Sequence, residues 1–147
     1  MNMKKNGYEQ YQKTVKSTTD KKKIVLMLYD GAILFLKKAI IAINEQKNVE
    51  KMEKINRVIA ILSELASALD MANGGEIAVN LLRLYDFMID YLYQANSEND
   101  INKINRVISL LSKIREGWAT IIAENGKSSE KQKDEASATD MRAEVAV

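Results

Sequence analysis

Ile24-Val-Leu-Met-Leu-Tyr-Asp-Gly-Ala-Ile-Leu-Phe-Leu36 decides how this chain folds. The stretch is apolar on nearly every side. Asp30 is its only charge, and a weaker apolar run continues past Lys37 and Lys38 to Ile43. A surface helix carries one apolar stripe and one charged face. A helix that is apolar all round has to be covered all round, by neighbouring helices or by a partner. Asp30, Lys37 and Lys38 interrupt the run too often for a membrane span, which needs roughly 18 or more apolar residues with few charges. The stretch therefore predicts the central helix of a soluble bundle, wrapped by the remainder of the chain.

The composition supports this reading. A chain of 147 residues suggests one domain with a real core. It has no Cys and no His, which excludes disulfides, thiolate chemistry, zinc held by those side chains and His-based acid–base catalysis. Pro is absent and there are only 6 Gly, as long helices require. A net charge of +2 is too small to argue for nucleic acid. The polar opening from Met1 to Lys23 lacks the apolar core of a signal peptide, so a cytoplasmic location is expected.

Outward from the hub, residues 1–19 read as an N-terminal arm or short helix. Tyr8 and Tyr11, three apart, could lie on one face and dock into a groove as a removable arm. Lys21–Lys23 reads as a solvated basic run. Ser17-Thr-Thr-Asp20 supplies N-cap candidates for a first helix over 20–44. Gly31 sits mid-helix, where it costs about 1 kcal/mol relative to Ala, and predicts close approach of a neighbouring helix. A turn at 46–48 leads to a second helix over 49–72, with a seam of Met52, Ile55, Ile59, Leu62, Ala66 and Leu69. Val58, Ile61 and Leu65 form a second row beside it, expected to meet another helix or, in part, to face outward as a docking surface.

Asn73-Gly-Gly75 is expected to end that helix. The third helix starts at Glu76 and aligns Ile77, Leu81, Leu84, Met88, Leu92 and Ala95, with Tyr85, Tyr91 and Tyr93 adding amphipathic bulk. Asp100 is the candidate cap of a fourth helix over 101–124, which buries Ile104, Val107, Ile108, Leu111, Ile114, Trp118, Ile121 and Ile122. The polar residues 125–147 read as a disordered tail after a bundle of 20–124.

The chain also contains a duplication. Lys54-Ile-Asn-Arg-Val-Ile-Ala-Ile-Leu-Ser-Glu-Leu65 resembles Lys103-Ile-Asn-Arg-Val-Ile-Ser-Leu-Leu-Ser-Lys-Ile114. Leu28-Tyr-Asp30 echoes Leu84-Tyr-Asp86, with Ile33 and Ile89, then Leu36 and Leu92, following in step. One helical hairpin used twice predicts an all-α, antiparallel up-down-up-down four-helix bundle.

No feature supports an enzyme. A di-iron bundle pairs Glu with His, and this chain has no His. Asp30 and Asp86 are single carboxylates without a proton-transfer partner and read as local salt bridges or hydrogen bonds. Gly74-Gly75 has no preceding strand to make a phosphate loop. No cofactor or metal is implied. What remains is binding through apolar helix surface, suited to an amphipathic segment of another chain.

Leu26-Met-Leu-Tyr-Asp-Gly-Ala32, Gly74-Gly-Glu-Ile-Ala78 with Asn80-Leu81, Leu84-Tyr-Asp86 leading to Met88, Leu92 and Ala95-Asn96, and Arg115 with Trp118 resemble the flagellar secretion chaperone FliS family over about Tyr8 to Ile122. The family's N-terminal Tyr falls on Tyr11. The chain departs from the family pattern over 19–24, at Ile59 and at Tyr91, positions that bear on polar contacts of a groove and not on the fold. The resemblance implies a cytoplasmic export chaperone that binds the disordered C-terminal segment of flagellin and prevents premature polymerisation. It also implies delivery to the flagellar type III apparatus, with FlhA as docking partner. In the family the chaperone's own N-terminal segment can occupy part of the groove. Exposure logic and resemblance together nominate Tyr8, Tyr11, Tyr29, Val58, Ile61, Leu65, Asn80 and Tyr85 as the client-binding groove. A homodimer formed by arm exchange is a further expectation. The competing reading is a structural helical module that self-associates.

Overall fold

The computed structural model describes residues 6–128, with side chains described over 21–120. Four α-helices follow one another: α1 Asn6–Asn44, α2 Asn48–Ser67, α3 Gly75–Glu98 and α4 Ile101–Ser128. Each packs against its neighbours in sequence, and α4 closes the ring onto α1. This is the all-α, antiparallel up-down-up-down bundle that the duplicated hairpin predicts. The short connections leave no room for a crossover.

Three boundaries differ from the sequence reading, each for a local reason. α1 begins at Asn6 and runs straight through Ser17–Asp20, so these residues sit inside a helix and do not cap one. α2 stops at Ser67, well before Asn73. The Asp70 carboxylate accepts from the backbone N–H and the side-chain amide of Asn73, at 3.1 and 3.2 Å, and this turn replaces further helical bonds. α4 continues through Asn125-Gly126 to Ser128, since a Gly in a helix lowers its stability without forbidding it. The proposed disordered tail lies mostly outside the described residues.

The core is built around the axis relating the two hairpins. Tyr29, Leu36, Ile55, Leu62, Met88, Leu92, Ile104 and Leu111 are its largest fully buried side chains. Tyr29 and Tyr85 hold equivalent places in the duplicated segments, and their hydroxyls hydrogen-bond to each other across the middle of the bundle. Burial raises the pKa of both phenols. For Tyr29, hydrogen bonds from Tyr85 and Trp118 pull the other way.

A polar latch ties the end of α3 to the start of α2. Lys51, buried to 7 % exposure, donates to the Asn96 carbonyl at 2.8 Å and to Asn99 Oδ1 at 2.7 Å. Asn99 follows α3 in the left-handed region (φ 53°), a geometry that Asn tolerates better than most residues. Asp100 caps α4 as expected, accepting from the Lys103 backbone N–H at 3.2 Å.

Candidate functional site

The nominated groove residues do not share one surface. Tyr29, Val58, Leu65 and Tyr85 are all buried within the bundle, between 0 and 4 % exposed. The expectation that they line an open groove is replaced by a core role, because the row Val58-Ile61-Leu65 turns inward and meets the neighbouring helices. Ile61 is half-buried against the same core, and Asn80 is exposed on the first turns of α3. Tyr8 and Tyr11 lie on the N-terminal extension of α1, and their side chains are outside the described ones.

The outward apolar surface lies elsewhere. The hub helix α1 contacts α2 and α4 but is not covered all round. Ile24, Met27, Leu34 and Ile41 stand out of it, from 51 to 69 % exposed. Their spacing of three and seven keeps them on one helix face, and Gly31 and Lys38 complete that face at the intervening turns. The alternating spacing that marks this row was legible in the sequence. It was missed because the whole segment is apolar, so periodicity did not separate outer from inner positions.

Gly31 does not admit a neighbouring helix of this chain. A Cβ built there meets nothing within 4 Å, so the expected close approach inside the bundle is absent. Other outward apolar side chains lie at Met52, Met71, Ile77, Phe87 and Tyr93. Phe87 stacks on Tyr91 with ring centroids 4.4 Å apart.

Charges border the α1 face. Asp30 takes two bonds from the Arg115 guanidinium, from Nε at 2.5 Å and Nη2 at 3.2 Å. That carboxylate holds the Arg115 pKa above its usual value. Both partners are substantially exposed, so the pair joins α1 to α4 and adds little stability. On the other flank, Lys54 and Arg57 of α2 lie over the Phe35 ring, 5.7 and 5.3 Å from its centroid. Among the described residues no group of three or more His, Cys, Asp or Glu is placed to hold a metal, and no helix is long and apolar enough to cross a membrane.

Fold and surface define a class: a closed antiparallel helical bundle whose core is complete and which still presents large apolar side chains to solvent. The chain belongs to the FliS family, since the model of the family described as flagellar protein FliS matches residues 4–125. Among similar proteins is the flagellar secretion chaperone FliS of Salmonella typhimurium strain LT2, 42% identical over 67% of this chain and 73% of its own length. The flagellar secretion chaperone FliS of Campylobacter jejuni is 34% identical over 82% of this chain and 91% of its own length. That of Bacillus subtilis strain 168 is 29% identical over 83% and 90%. The family is one of flagellar secretion chaperones and not of enzymes.

Proposed function

We propose that this protein is a cytoplasmic export chaperone that binds the disordered C-terminal segment of flagellin, keeps it from polymerising and hands it to the flagellar type III apparatus, docking there on FlhA. One observation carries the reading beyond family membership. The bundle fills its own core and yet leaves Ile24, Met27, Leu34 and Ile41 in solvent along a single helix face. A folded subunit gains nothing from that placement, whereas a client that buries it gains about 25 cal/mol per Å² of apolar area. A disordered client surrenders roughly 2–5 kcal/mol to ordering when it folds on binding, so a long apolar contact is needed.

Within this reading, Ile61 and Asn80 have accessible surface to offer the client, while Tyr29, Val58, Leu65 and Tyr85 support the surface from inside. Tyr8 and Tyr11 belong to a segment that shields apolar surface until the client displaces it, or that is exchanged between two subunits. Co-purification tests the function. Full-length cognate flagellin is expected to be retained by the tagged protein, and flagellin lacking its C-terminal segment to be lost. Equal retention of both, or of neither, contradicts the reading. Concentration-dependent self-association without client retention supports the structural module instead.

A further inference from the structure

The duplication supplies an internal control for the α1 face. Aligning Leu28-Tyr-Asp30 with Leu84-Tyr-Asp86 places Ile24, Met27, Leu34 and Ile41 opposite Asn80, Arg83, Asp90 and Ser97 of α3. All four α3 counterparts are exposed, as their α1 equivalents are. The same helix position in the same hairpin is thus polar in one copy and apolar in the other. Folding does not demand apolar residues there.

Gly31 adds an independent observation. Its α3 counterpart is Phe87, and the space beside the Gly31 Cα is open. A mid-helix Gly is retained where Ala would favour the helix and where no part of this chain crowds it. The geometry is that of a shallow notch in an apolar stripe, shaped for a side chain from outside.

The charge around the stripe selects the occupant. Lys23, Lys37 and Lys38 are exposed on α1, and Arg57 reaches in from α2 over Phe35. The only carboxylate of α1 between Lys21 and Asn44 is Asp30, which is already engaged by Arg115. A second copy of this chain would bring a like-charged face to the stripe. An acidic-flanked helix would not.

Resting on the chaperone reading above, we infer that the outer face of α1 from Ile24 to Ile41 is the seat of an amphipathic helix of the flagellin client. That helix inserts a side chain over Gly31 and carries acidic residues beside its apolar row. It lies along α1 as one helix lies on another, so the Gly31 notch sets its register and the lysines set its charge preference.

The test gives α1 the residues that α3 carries, in the double variant Met27→Arg/Leu34→Asp, and titrates the C-terminal segment of the cognate flagellin into the full chain. Both positions are exposed, so far-UV circular dichroism and Tm are expected to match the parent. Affinity is expected to fall at least tenfold. Gly31→Gln is expected to raise Tm and still weaken binding, a combination that damage to the fold does not produce. Parent binding is expected to weaken as salt rises from 50 to 500 mM. Tyr93→Ser, at an exposed α3 position, serves as the control and is expected to bind within twofold of the parent. Parent-like binding by the double variant overturns the assignment while leaving the chaperone function intact, and so does equal weakening by Tyr93→Ser. Binding indifferent to salt overturns the acidic-flank assignment. Failure of the parent itself to bind the segment defeats the chaperone reading, and the inference with it.

Discussion

At the residue scale, the Tyr29–Tyr85 pair shows how one side chain changes meaning between sequence and structure. Tyrosine was read as amphipathic bulk for a groove, yet both phenols are enclosed and each satisfies the other. The duplication held the clue, since two copies of Leu-Tyr-Asp in a pseudo-symmetric bundle bring their tyrosines to a common axis. The buried pair has a pH signature. Both pKa values are raised above the ordinary 10 by desolvation. Above about pH 10 the unfolded phenols therefore lose protons that the folded ones retain, and the folded state binds more protons. Stability contributed by the pair is complete below that pH and is lost as pH rises beyond it. Thermal melts from pH 9 to 11.5 are expected to show a steeper fall in Tm for the parent than for Tyr29→Phe/Tyr85→Phe. Parallel curves would mean that the phenols are open to solvent.

At the scale of elements, periodicity located every helix and the turns between them but misplaced the ends. Capping residues were taken as stops where the chain simply continues, at Ser17–Asp20 and at Asn125-Gly126. A side-chain turn at Asp70 ended α2 where the apolar pattern ran on through Leu69. The core seam of α3 was also read one step off. Ile77 is exposed, whereas Ala78 and Tyr85 are buried, because the register of α3 is fixed by Met88, Leu92 and Ala95 further along. Lys51 could not have been found by pattern. A lone Lys among Glu50, Glu53 and Lys54 reads as surface, and only the meeting of α2 with the end of α3 gives it acceptors. Lys51→Met removes both bonds and leaves the Asn96 carbonyl and Asn99 with fewer partners. The expected loss is about 1–3 kcal/mol in denaturant unfolding. Asn99→Gly, which keeps the left-handed backbone, is expected to cost less. A silent Lys51→Met would show that the latch ties nothing together.

At the scale of the whole molecule, one hairpin used twice gives a ring of four helices whose two halves have diverged on the outside only. The shared interior positions stay apolar in both copies: Ile55 and Ile104, Val58 and Val107, Leu62 and Leu111. Divergence is concentrated where solvent permits it, with α1 apolar outward and α3 polar. The hub stretch was expected to be covered on every side. It is covered on the sides facing α2 and α4, and its remaining face accounts for the apolar surplus visible in the sequence.

Calorimetric titration of the full chain with the C-terminal segment of its cognate flagellin, repeated at several temperatures, tests the account most directly. Saturable one-to-one binding with a clearly negative heat-capacity change is predicted, because apolar surface leaves water as the segment folds onto the bundle. No saturable heat at any temperature, or an equal response to a scrambled segment of the same composition, would contradict it.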